Sequence, residues 1–207
     1  MKRLFLFFLA GYIPLSGLAQ AKQQIWKLAD RQNLISELRK SQLELIQEVE
    51  HLSDKQLRFK PDSTKWSIAE VVEHLGVYEE LLYWDLLNNQ YTEERYDLVD
   101  SVKGIDSAMN AYATEPSKGQ APFAAQPLGR FKEKDDLLLF FNRYRNEVVT
   151  LLQETKTDFR LHFIFRPADW GIWHIRDLHQ YTLLWISHTR RHVNQIRTIK
   201  TMVKYPE

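Results

Sequence analysis

Four stretches of the chain repeat apolar residues at three- and four-residue steps, the period of an amphipathic helix. The first runs from Asp30 to about Leu52. It places Leu34, Leu38, Leu45, Val49 and Leu52 on one side and Glu37, Arg39, Lys40, Glu44 and Glu48 elsewhere. The second follows Ser67 and continues to about Asn88, with Ile68, Val71, Val72, Leu75, Tyr78, Leu82 and Leu86 as core positions. Its start is written in detail. Ser67 and Glu70 make the S-x-x-E pattern of a reciprocal capping box, and Trp66 and Val71 take the two places of a hydrophobic staple. The third stripe, Leu137, Phe140, Phe141, Tyr144, Val148 and Leu151, predicts a helix from Lys132 to about Glu154. The fourth, from Asp177 to Val203, contains no Gly or Pro. It aligns Tyr181, Leu184, Trp185, His188, His192, Gln195, Ile196 and Ile199, while Arg190, Arg197 and Lys200 fall mostly off that stripe.

The connectors are unequal. Asn89 to Phe131 holds Gly104, Pro116, Gly119, Pro122, Pro127 and Gly129, and is too long for a tight hairpin. It therefore predicts a crossover in a helical bundle, with a short helix around Val102 to Tyr112. Thr155 to Arg176 is aromatic and partly basic, with Arg160, His162, Phe163, Phe165, Arg166, Trp170, Trp173 and His174.

Composition narrows the picture only a little. A chain of 207 residues suits one domain with a real core, expected over residues 22–207. The first 21 residues read as a signal peptide: Lys2-Arg3, an apolar run from Leu4 to about Leu15, then Ala19-Gln20-Ala21. The apolar run is short for a membrane span and contains Pro14, so cleavage is the expectation, with a periplasmic or secreted product that keeps no membrane attachment. Formal net charge is +1; removing Lys2 and Arg3 leaves 26 basic against 27 acidic residues, or −1. With no basic patch, nucleic acid is not an expected partner. With no cysteine, neither a disulfide nor a lipidated N-terminal cysteine can form.

The candidate chemistry lies in the last helix. His188 and His192 are four residues apart, so their imidazoles lie one above the other at a separation that suits two ligands of one metal ion. Two histidines satisfied by hydrogen bonds in a bundle core would show the same spacing. His74 shares the inward edge of Val71 and Tyr78, which makes it the candidate third ligand. Glu70, four residues before His74, could reach a metal too, but the capping box already occupies its carboxylate. His51, His162, His174 and His179 have no partner at ligand spacing and read as structural or solvent-facing.

Three segments taken together resemble the DinB-like superfamily of four-helix-bundle metalloenzymes. They are Leu52-Ser-Asp-Lys-Gln-Leu57-x-Phe59-x-Pro61, Trp66-Ser-Ile-Ala-Glu-Val-Val-Glu-His74-Leu75, and His188-x-x-Arg191-His192-x-x-Gln195-Ile196. The resemblance implies an all-α fold, an antiparallel four-helix bundle with long crossover connections. It also implies a divalent metal on His74, His188 and His192. Gln195 would orient a histidine from behind, and Arg191 would lie at the surface or pin a loop.

Three neutral imidazoles leave at least one position open for water, the arrangement of a catalytic site rather than a sealed structural one. Zinc is the first choice of metal; nickel, iron and manganese also accept imidazole. The expected activity is hydrolysis of a small-molecule substrate. A pocket opening over the metal, lined by the Arg160–Trp173 connector, would favour an enzyme, and a metal sealed by side chains would favour structure. One alternative is a thiol-dependent transferase or isomerase, which export disfavours because small thiols are kept reduced mainly in the cytosol. Another is a non-catalytic bundle that binds a metal or a small ligand. A homodimer is compatible with all three.

Overall fold

The structure is a computed structural model that describes residues 24–115, 121–165 and 174–207. The expected signal peptide lies outside the described residues, as do Arg166, Trp170 and Trp173 of the second connector. In chain order the helices are α1 (Leu28–Val49), α2 (Asp54–Leu57), α3 (Ile68–Asn89), α4 (Ile105–Ala111), α5 (Lys134–Glu154) and α6 (Leu178–Lys200). The four long ones follow the four hydrophobic stripes, with ends shifted by at most three residues. α4 sits within the short helix expected at Val102 to Tyr112, between 3-10 turns at Tyr96–Val102 and Tyr112–Thr114.

Side-chain pairs between helices give their directions. The charged residues off the α6 stripe face the acidic side of α1: Arg190 pairs with Glu37 at 2.8 Å, and Arg197 and Lys200 both reach Glu48 at 2.8 Å. Numbers rise together, so α1 and α6 run parallel. α3 and α5 also run parallel, since Gly76 lies against Phe140 and Tyr144 donates to Glu80 at 2.8 Å. Between the two pairs the sense is antiparallel. Lys134 reaches the carbonyls at the end of α1, whereas Arg145 reaches Leu38 near its middle. Tyr181 at the start of α6 bonds Asp85 near the end of α3. The result is a four-helix bundle in which α1 and α6 oppose α3 and α5. Parallel neighbours cannot be joined by a tight turn, which is why residues 90–133 have to cross the bundle.

Close approach of α3 and α5 depends on Gly76, where an added Cβ would lie 2.4 Å from Phe140 Cδ1. The core falls into two clusters along the bundle, one with Leu34, Leu38, Leu82 and Leu178, the other with Val49, Val72, Phe141 and Ile196. Among the described residues, no helix is long and apolar enough to cross a membrane.

One element was not expected. Phe163–Phe165 (β1) pairs antiparallel with Ile175–Asp177 (β2), bringing Phe163 opposite Asp177. Strands of three residues are too short to show an alternating pattern above background. The hairpin delivers Asp177 to the start of α6, where its carboxylate accepts from the Gln180 N–H at 2.7 Å and Gln180 Oε1 accepts the Asp177 N–H at 3.2 Å. This reciprocal cap fixes where α6 begins, and with it the height of His188 and His192 in the bundle.

Candidate metal centre

α3 and α6 cross so that His74 faces His188 and His192. The three residues are together the one group of histidine or carboxylate side chains among the described residues placed to hold a metal ion, with candidate ligand atoms all within 4.8 Å of one another. His188 Nε2 lies 3.4 Å from His74 Nε2 and 3.1 Å from His192 Nε2. Helix geometry accounts for the shorter separation, because residues four apart stack on one face.

The outer nitrogens of two rings are taken. His74 Nδ1–H donates to the Ala125 carbonyl at 2.7 Å, and His192 Nδ1–H donates to Gln195 Oε1 at 2.7 Å. A carbonyl can only accept, so the proton of neutral His74 is on Nδ1 and its Nε2 presents a bare lone pair. His192, donating to Gln195, does the same. One N–H on His188 can answer only one of these two lone pairs. A cation at the centre would answer all of them, so the donor set fits a metal that prefers imidazole nitrogen.

Electrostatics keep the three imidazoles in the neutral form a metal would need. Burial lowers the pKa of His74 to about 4, against the opposing hydrogen bond to Ala125. Burial, with repulsion from His74, lowers His192 to about 3. His188 is driven well below its ordinary value by burial and then by its two neighbours. All three are neutral at physiological pH.

The surrounding wall is aromatic. Trp66 and Tyr78 lie against His74 with ring centroids at 4.8 and 4.7 Å, and Trp185 lies against His188 at 5.2 Å. Tyr112, from the crossover, stacks over His188 at 6.2 Å. The Trp185 indole N–H is buried and has no hydrogen-bond partner among the described residues.

Other sequence candidates fall into place by their partners. Glu70 is a cap: it accepts the Ser67 N–H at 2.7 Å, its own N–H reaches Ser67 Oγ at 3.3 Å, and Lys60 pairs with it at 2.7 Å. Gln195 Oε1 accepts from His192 Nδ1 at 2.7 Å. Arg191 pins the crossover through the Glu115 carbonyl and lies over the Tyr112 ring at 5.2 Å. His179 accepts the Trp26 indole N–H at 3.0 Å and anchors the chain entering α1. His162 hydrogen-bonds with Thr92 at 3.2 Å, while His51 and His174 are exposed. Arg160, in the second connector, clamps Asp106 at 2.6 Å and Asp177 at 3.0 Å. Tyr112 and Ala125 are the parts of the site that sequence reasoning missed. They lie in the crossover, where no periodicity places a residue.

Fold and site together define a four-helix bundle with a buried, inward-facing histidine triad shared by two antiparallel helices. The chain belongs to the DinB superfamily, whose family model matches residues 37–196. It is similar in structure to YfiT from Bacillus subtilis, described as a probable metal-dependent hydrolase with an unusual four-helix bundle topology. That similarity has a TM-score of 0.57 and 17% sequence identity, and covers 86% of this chain and 90% of YfiT. No curated protein matches the sequence.

Proposed function

We propose that the protein is an exported, metal-dependent hydrolase of a small molecule, with one divalent ion held by the Nε2 atoms of His74, His188 and His192. The observation that carries this reading is the convergence of three buried ring nitrogens with more lone pairs than protons between them. The description of YfiT supports the choice of hydrolysis. Zinc is the first choice, with nickel, iron or manganese as substitutes by availability.

When bound, such an ion supplies Lewis acidity and lowers the pKa of a coordinated water toward ~7. The chain supplies the rest. Ala125 and Gln195 hold two of the rings with their Nε2 atoms turned inward. The packed rings of Trp66, Tyr78 and Trp185 thin out bulk water around the triad, which strengthens every charge interaction there. Tyr112 closes the side from which the crossover approaches.

The test uses zinc-loaded protein against a panel of small esters and amides, with and without a small thiol. The reading predicts turnover that needs no thiol, is lost on chelation and is lost in His188→Ala. Turnover that survives both would contradict it, and turnover only with thiol would move the protein to the transferase class. Export is checked by N-terminal sequencing from the native host, where a start at Gln20 or Lys22 is expected and an intact Met1 would refute it.

A further inference from the structure

Glu73 precedes His74 in α3 and is equally buried, each 2% exposed. A carboxylate cannot stay charged inside a bundle without donors. Glu73 finds them in the crossover: the N–H groups of Leu128 at 3.0 Å, Gly129 at 2.9 Å and Arg130 at 3.5 Å, and Arg130 Nε at 2.8 Å. Three consecutive backbone N–H groups curl round one anion because Gly129 takes a left-handed conformation, φ 68°. Residues with a side chain adopt it reluctantly; the result is an anion-binding nest whose anion comes from the protein itself.

The same short stretch holds the accepting carbonyl of His74. Ala125 lies three residues before Leu128, and its carbonyl takes the His74 Nδ1 proton at 2.7 Å. Adjacent residues of α3 therefore grip one loop from two sides, Glu73 by accepting and His74 by donating. We propose that Glu73 is a positioning residue of the histidine triad: held in the Leu128–Arg130 nest, its carboxylate places the Ala125 carbonyl that fixes the ring and tautomer of His74. This rests on the metal reading for its consequence in affinity, but not for its consequence at the His74 ring. A carboxylate that merely ties down a crossover would affect stability and leave His74 unchanged.

Glu73→Gln sets an amide NH2 against the N–H groups of the nest. Two readouts separate positioning from plain stability. In metal-free protein, exchange of the His74 Nδ1 proton with solvent, followed by NMR of 15N-labelled imidazole, is expected to be faster than in wild type. Zinc affinity, by competition with a chromophoric chelator, is expected to fall roughly 10–100-fold. The control is Asp158→Asn. Asp158 is another buried carboxylate that holds backbone N–H groups, those of Trp26 at 3.0 Å and Arg160 at 2.9 Å, away from the triad. It should lower the unfolding midpoint and change neither readout. If Glu73→Gln does not fold, Gly129→Ala keeps the carboxylate, opposes the left-handed nest and should move both readouts the same way by less. Wild-type exchange and affinity in both nest variants, or equal changes in Asp158→Asn, would overturn the proposal. Wild-type protein that binds no zinc would remove the metal reading alone, and the exchange measurement would still decide the role of Glu73.

Discussion

Two groups of buried polar side chains sit side by side in this bundle, joined through the adjacent residues His188 and Thr189, and they are built on opposite rules. The first centres on Arg145 of α5, which is fully buried. Its five N–H groups all have acceptors: Glu79 at 2.7 and 2.5 Å, the Leu38 carbonyl at 2.8 Å, Ser41 at 2.7 Å and Thr189 at 2.8 Å. Ser41 and Thr189 pass their own protons to the carbonyls of Leu38 and Trp185. One guanidinium thus ties all four long helices together with nothing left over. The second group is the triad, where neutral imidazoles turn bare lone pairs toward one another and the neighbouring Trp185 N–H has no partner among the described residues. Buried polar groups that satisfy one another hold a fold together; groups left wanting, at a cost of ~1–3 kcal/mol each, mark a place kept for something else.

The largest effect should come from breaking the satisfied group. Arg145→Met leaves the Glu79 carboxylate buried without its partner and is expected to cost about 3–5 kcal/mol in denaturant unfolding of metal-free protein. The matching change in the triad, His188→Leu, removes a single ring from a group that already has more lone pairs than protons, and should cost that protein less, about 1–3 kcal/mol. A loss as large as that of Arg145→Met would break the comparison. Glu70 gives a finer test, because by position it could belong to the triad and by partners it belongs to a cap. Ser67→Ala should cost about 1 kcal/mol, the usual size of a lost N-cap. Glu70→Gln can still accept the Ser67 N–H, so metal content should be intact and stability little changed. Loss of metal with unchanged stability in Glu70→Gln would make Glu70 a ligand.

The same contrast explains what the sequence revealed. Local patterns are legible because both partners are close in the chain, as in the Ser67–Glu70 cap and the four-residue step from His188 to His192, whereas Gln195 was singled out by its family position. Arg145 was not legible, since a lone arginine next to an apolar stripe looks like a solvated edge until Glu79 and Thr189 arrive from other helices. Glu73, Tyr112 and Ala125 were hidden for a similar reason. Their partners depend on the path of the crossover, which no hydrophobic period encodes. The β1–β2 hairpin was missed because three-residue strands carry too little pattern. His74 became a candidate through its place on the inward edge of α3 and through the family pattern around it.

The central claim is that the triad's missing partner is a metal ion, and elemental analysis of protein purified under metal-sufficient conditions tests it most directly. Wild type should carry one divalent ion per chain, with zinc expected first. Each of His74→Ala, His188→Ala and His192→Ala should lose it, while His162→Ala and His179→Ala should keep it. Acidity adds a sign to the test. The fold holds His74 at about 4 and His192 at about 3, below the ~6.5 of a free histidine. Ligands in the folded chain therefore stay neutral at pH 6, and occupancy should persist there and fall as pH drops toward 4. The unfolded chain takes up its protons near 6.5, so the part of the stability linked to these histidines is present above that pH and is lost over the same descent. Stoichiometric metal in wild type that disappears only in the three triad variants is the result predicted. Wild-type protein that carries no metal and cannot be loaded with zinc, nickel, iron or manganese would contradict it.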